Sequence, residues 1–235
     1  MDPRASLDAC LAQALSEHTP DAILATGDLA HDPVRDVYLD FMAVIRARTD
    51  APLLCLPGNH DVLGVMAAVD MPLEPLDLAP WQIVPLDSHE DELPRALVTD
   101  ADRAQTAAHL QASSNPYTLL ATHHPLMALN MPWLDKDRVK NPEELVHWLA
   151  ERSTSLRGIV FGHAHQACEG SCAGIPIYGV PATCFQFQPE TEAFTPNNLP
   201  PGYRWLELTD DGEIATEVRR VAAFTERVTL PDHLK

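Results

Sequence analysis

The chain has no apolar run near the ~20 residues that a membrane-spanning helix needs, and its first residues, MDPRASLDAC, lack the apolar core of a secretory leader. The expected location is the cytoplasm. Basic residues are scarce: 16 Lys and Arg stand against 34 Asp and Glu, for a formal net charge of −18. With no basic stripe, that balance argues against a protein that grips a nucleic-acid backbone. It would also repel a phosphate ester, so an anionic substrate would need local positive charge, and bound divalent metal is one source. Five cysteines, at 10, 55, 168, 172 and 184, are too few and too scattered for a disulfide framework. Cys168 and Cys172 form a C-x3-C pair, but nothing at the right spacing completes a zinc knuckle. There is no P-loop, no GxSxG and no Cys-His arrangement of a nucleophilic enzyme.

What is present reads as an α/β protein. At 235 residues and 46% hydrophobic content, residues 1–235 form one domain, with 189–235 as a loop and a C-terminal β appendage. Residues 5–18 carry Leu7, Leu11 and Leu15 on one helical face, with Asp2-Pro3 as N-cap and first position. Helices are also predicted over 34–48, 101–112 and 142–152. Strands are predicted over 22–26, 52–57, 81–87, 117–122 and 157–162, with Pro85 marking an edge or a bulge. The last third is mostly β, in HQACEG, IPIYGV, YRWLEL and EIATEVRRV, with Asp211-Gly212 as a hairpin turn. Helix–strand alternation followed by strands predicts an α/β core whose sheet is completed by antiparallel strands.

Ligands of open α/β folds sit beyond the carboxyl ends of the strands. Four strand ends here carry Gly27-Asp28, then Gly58-Asn59-His60-Asp61, then His123-His124-Pro125, then Gly162-His163-Ala164-His165. Each has a plain structural reading, as a turn or as packing. All four in succession do not: oxygen and imidazole donors of this mix suit manganese, iron, zinc or cobalt. Trp133, Trp148 and Trp205 are read as core residues.

The order GD…GNHD…HHP…GHAH resembles the calcineurin-like metallophosphoesterases. The stretches WLDKDRVKNPEEL, PATCFQFQP and LPPGYRWLELTDDGEI are similar to the class III, CpdA-like branch that hydrolyses 3′,5′-cyclic AMP. The resemblance implies a fold of two packed mixed β-sheets flanked by helices, and two divalent metals bridged by a carboxylate and a hydroxide that attacks phosphorus in line. It places the bridging carboxylate on Asp28. It gives one metal Asn59, His123 and His163, and leaves the other Asp28 and His165. It makes His60 the group that meets the phosphate and the leaving oxygen. Asp61 would orient His60 or cap the following helix. Asn59, His60 and His124 are the candidate substrate contacts, although a solvated side chain is the plainer reading of His124 and of His31.

The family opens with a strand ending in D-x-H, which supplies two further ligands, and no such motif precedes Asp28 in this chain. The expectation is a first strand missing from the sheet, attributed to a late start or a truncation in preference to a genuine short form, and one metal position held weakly or not at all. The resemblance therefore implies a cyclic-nucleotide phosphodiesterase with two ions, or one. The alternatives are a hydrolase of another phosphodiester or phosphomonoester, or a non-catalytic metal-binding relative or fragment. Self-association is open.

Overall fold

A computed structural model describes residues 1–91 and 93–228. In chain order the first half gives α1 (Pro3–Glu17), β1 (Ile23–Ala25), α2 (Arg35–Arg46), β2 (Leu53–Cys55), α3 (Leu63–Ala67), β3 (Leu76–Leu78), β4 (Trp81–Leu86) and α4 (Asp100–Ala112). The second half gives β5 (Tyr117–Thr122), α5 (Pro132–Asp135), α6 (Pro142–Ala150), β6 (Leu156–Phe161), β7 (Cys168–Cys172), β8 (Ile175–Gly179), β9 (Gln186–Phe187), β10 (Pro196–Asn197), β11 (Gly202–Leu208) and β12 (Ile214–Arg220). Residues 229–235 of the expected appendage lie outside the described residues.

Local chemistry accounts for several boundaries. Asp2 caps α1 as its position predicts: its carboxylate accepts from the amides of Arg4 and Ala5 at 2.9 and 3.1 Å, with Pro3 in the first turn. Thr99 and Asp102 close a reciprocal capping box at the start of α4. The expected Asp211-Gly212 turn joins β11 to β12, and Gly212 takes φ +90°, open to glycine at little cost. Pro85 lies in β4 beyond Ile83, where pairing with β3 ends and a neighbour remains on one side only, so its missing N–H breaks no ladder.

Six strands form one mixed sheet in the order β3-β4-β5-β6-β8-β7, with β4, β5, β6 and β8 parallel and β3 and β7 antiparallel at the edges. Both faces of this sheet are covered, which explains the unbroken apolar run YTLLAT. Leu120, Ile159 and Phe161 pack toward Leu145, Val146 and Leu149 of α6. Leu119, Ala121 and Val160 point the other way, toward Leu54 and Leu56. A third cluster joins β1 and β2 to α1 and α2 through Leu11, Tyr38, Ile45 and Cys55. All five cysteines are free, with Cys168 and Cys172 at opposite ends of β7.

The second β layer is divided. Among the described residues β1 pairs only with β2, and β11 pairs only with β12. Between the two pieces runs a trough of about 1240 Å³, lined by Leu7, Leu11, Leu24, Leu119, Val160 and Trp205 among others. The hairpin is tied to α1 instead: Glu17 accepts from the Tyr203 hydroxyl at 2.8 Å and from the Trp205 indole at 3.2 Å. The expected second mixed sheet is thus two separate ribbons, each with an open edge on the trough. The loop over 189–202 carries the short β10, paired with β9. Trp81 is a core residue, whereas Trp133, Trp148 and Trp205 are half-buried at its margins.

Candidate metal centre

The four motifs follow β1, β2, β5 and β6, each at the C-terminal end of a parallel strand. Two come from the divided layer and two from the six-stranded sheet, so the site lies where the layers meet. Asp28, His163 and His165 all take left-handed φ, at 56°, 56° and 46°. Non-glycine residues hold that conformation only where the surrounding structure imposes it, and such strain clusters at functional sites.

Close backbone packing brings the loops together. A methyl group on Gly58 would collide with the amide and carboxylate of Asp28 and approach His123 Cε1 to 2.8 Å. Gly58→Ala is therefore expected to push the Asp28 loop away. We expect at least a tenfold loss of metal affinity by titration calorimetry, with about 1–3 kcal/mol of lost stability from overpacking.

His123 is the hub. Its Nδ1 donates to the Thr26 carbonyl at 2.7 Å, which turns Nε2 inward. Around that Nε2 stand Asn59 Oδ1 at 3.2 Å, His163 Nδ1 at 3.2 Å and Asp28 Oδ2 at 3.4 Å. Ligands bonded tetrahedrally at about 2.0–2.1 Å lie roughly 3.4 Å apart. Four electron-pair donors at this spacing suit one divalent cation. Nε2 of His163, buried on the far side of the ring, has no hydrogen-bond partner.

The electrostatics agree. Burial holds His163 well below the usual histidine range, reinforced by His123 and His124, so its imidazole is neutral and able to coordinate. Burial also lowers His165, to about 4. For Asp28 burial acts upward, but the charge and hydrogen bond of His123 and the amide of His60 outweigh it and the carboxyl is held low. Burial lowers His123, but Asp28 outweighs this and raises it in turn, so the two share a proton that a cation at this site would displace. His60 donates that amide to Asp28 Oδ1 at 3.0 Å.

His165 sits on the trough side. Its Nδ1 donates to the Phe185 carbonyl at 2.8 Å, and its ring stacks flat on Phe187 at 4.2 Å. That fixes the ring and leaves Nε2 as the nitrogen available to a metal. For the second metal position of the resemblance, the chain supplies His165 and the shared Asp28. The residues present therefore fit one ion fully and a second only in part.

Two expectations need correction. Asp61 neither touches His60 nor caps α3, whose N-cap Val62 has no side-chain bond. It is 1% exposed and accepts from the amides of Leu29, Ala30 and Gly58 and from the Tyr38 hydroxyl. It is thus a staple between the Asp28 loop and the GNHD loop. His124, read as a solvated side chain, is fully buried. Its nitrogens lie within hydrogen-bond reach of Ser88 Oγ at 3.0 Å and the Pro94 carbonyl at 3.2 Å. Its nitrogens lie within 4.8 Å of ligand atoms on His123 and His163. With both already engaged, we assign His124 to the frame behind the ligands. His60 and His31 are exposed on the rim with ring centroids 5.1 Å apart.

Comparison with known proteins decides the family. The calcineurin-like phosphoesterase profile matches residues 2–167. The chain belongs to this family. It is 34% identical over 209 residues to a protein of Haemophilus influenzae named 3′,5′-cyclic adenosine monophosphate phosphodiesterase CpdA, covering 86% of this chain and 75% of that one. A Vibrio vulnificus protein of the same name is 35% identical over 227 residues, covering 93% and 81%. Among solved structures, a dimetal phosphatase from Danio rerio superposes with a TM-score of 0.61 at 12% identity, covering 93% of this chain and 87% of that one. GAP50 of Plasmodium superposes with a TM-score of 0.65 at 9% identity, covering 96% and 82%. These two establish the shared fold. No helix among the described residues is long and apolar enough to cross a membrane.

Proposed function

We propose that this chain is a metal-dependent phosphodiesterase that hydrolyses 3′,5′-cyclic AMP to 5′-AMP. The observation that carries the chemistry is the convergence of Asp28, Asn59, His123 and His163 at ligand spacing with His60 on the open side. The choice of substrate rests on the CpdA relatives, which share about a third of their residues over most of the chain.

Asp28, Asn59, His123 and His163 would hold one divalent cation, of the manganese, iron, zinc or cobalt type. When bound, the ion supplies positive charge to phosphate oxygens and makes water more acidic. The protein's own groups do the rest. Asp61 fixes the two loops, Asp28 anchors the backbone of His60, and the His60 ring is left free at the rim. Water attacks phosphorus opposite the 3′ oxygen and gives up one proton to solvent, the P–O3′ bond breaks, and a His60 N–H proton passes to that oxygen, with His60 regaining its proton from solvent before the next turnover. Asn59 Oδ1, 3.2 Å from His123 Nε2, would take part in holding the ion, and its amide N–H₂ can donate to a phosphate oxygen.

The test is turnover by the manganese-loaded chain of cyclic AMP, cyclic GMP, bis(p-nitrophenyl) phosphate and 5′-AMP, followed by chromatography. Cyclic AMP is expected to be consumed fastest, with 5′-AMP as sole product, and His60→Ala to lower kcat by roughly 10²–10⁴-fold. Preference for another ester would replace the substrate assignment. A second reading is favoured by His165 and Asp28 standing as the only assigned ligands of the other position: a single-ion, non-catalytic relative. Stoichiometric metal binding with no turnover of any ester would establish it.

A further inference from the structure

His31 is absorbed by none of these roles. It lies three residues beyond Asp28, on the loop that Asp61 holds through the amides of Leu29 and Ala30. His60 lies on the facing loop, which the same carboxylate holds through Gly58 at 2.8 Å. Both loops are therefore set by one buried anchor. The two exposed imidazoles they present are 5.1 Å apart between centroids and inclined at 41°. In a chain of net charge −18, an anion at this rim needs donors, and beside the Asn59 amide the two imidazoles present ring N–H groups.

We propose that His31 and His60 form a two-imidazole clamp on the anionic ester. His31 donates a ring N–H to a phosphate oxygen, and His60 is thereby left to serve the leaving oxygen. This rests on the phosphodiesterase reading for its substrate, but the anion contact does not depend on turnover. A donor at 31 that touches a phosphate oxygen away from the breaking bond acts on bound substrate and transition state alike, so its loss falls on KM more than on kcat.

The experiment uses the manganese-loaded full chain, with His31→Ala and His31→Gln, and titrates inorganic phosphate and 5′-AMP by calorimetry beside cyclic AMP kinetics. A hydrogen bond to a charged acceptor predicts a rise of about tenfold in the phosphate Kd and in KM for His31→Ala. His31→Gln, which keeps an N–H donor, is expected to recover most of that loss. Metal content and melting temperature should match wild type, since His31 is exposed and holds no element in place. A phosphate Kd within about twofold of wild type in His31→Ala would overturn the clamp. So would wild-type protein that binds no phosphate, or His31→Gln as weak as His31→Ala. Absence of cyclic AMP turnover with the phosphate pattern intact would instead remove the substrate reading and leave the clamp standing.

Discussion

Replacing His123 with alanine is expected to empty the site. Metal content after loading with manganese and removal of loosely held ion should fall from about one per chain to none by inductively coupled plasma mass spectrometry. The phosphodiesterase rate should fall by roughly 10³-fold, the order seen when a major stabiliser of transition-state charge is lost. The expectation follows from geometry: His123 Nε2 is the atom from which the donors on Asp28, Asn59 and His163 are each 3.2–3.4 Å distant. Without that ring, three donors from three loops remain around a hole. Two contrasts make the result specific. His165→Ala should retain about one ion per chain, because His165 is not among the donors grouped around His123 Nε2 and its Nδ1 is held by the Phe185 carbonyl. His124→Ala should also retain it while melting earlier, because His124 is buried and bonded to Ser88 and Pro94. Metal lost equally from all three variants would mean that the ion is held by the whole histidine cluster. Two ions per wild-type chain would mean that another group completes the position beside His165.

The positions of the candidate ligands were legible because the chemistry leaves a pattern. A buried strand has little use for Asp, Asn or His at its end, so four apolar runs ending in such residues stand out against the plain turn reading of each. Strand and helix positions were legible wherever the hydrophobic pattern ran for six or more residues, as in β5 and β6. Short elements were not. The five residues of α3 and the three of β3 are too few for a periodic signal, and they owe their form to packing under α2 and beside β4. The division of the second layer was legible only as a missing strand. That it opens a trough beside Asp28, His163 and His165 required the tertiary arrangement. His124 shows the limit for single residues: a histidine before proline has the same local sequence whether it faces water or, as here, a serine and a carbonyl from another loop. The pairing of His31 with His60 is likewise invisible across 29 positions of chain.

Asp61 is the clearest case of a role that sequence misplaces, and its removal carries the largest expected cost to the fold. The residue follows His60, so a local reading makes it the partner of His60 or a helix cap. Its contacts run instead to Leu29 and Ala30, more than 30 residues earlier, to Tyr38, and to Gly58. Burial pushes its carboxyl upward, and the nearby Asp28 adds to this. Yet three of its four partners are backbone amides, which can only donate, and the Tyr38 hydroxyl also donates to it, so the contacts are those of a carboxylate acceptor. Asp61→Ala would leave three amides and a hydroxyl buried without an acceptor. Loss of one member of such a network costs about 3–5 kcal/mol. At about 2–4 °C per kcal/mol for a chain of this size, the melting temperature should drop by roughly 6–20 °C. Tyr38→Phe removes one donor to the carboxylate and the acceptor of the Val62 amide at 3.1 Å, and should cost less, about 1–2 kcal/mol. Because the staple aligns both ligand loops, Asp61→Ala should also weaken metal binding while the protein is still folded. Tyr38→Phe leaves the Leu29, Ala30 and Gly58 bonds in place and should bind the ion nearly as wild type does. If Asp61→Ala melts within about 2 °C of wild type, the staple contributes little and the loops are held by their strands alone. If it melts early but binds metal normally, Asp61 serves the fold and the ligand geometry is set elsewhere.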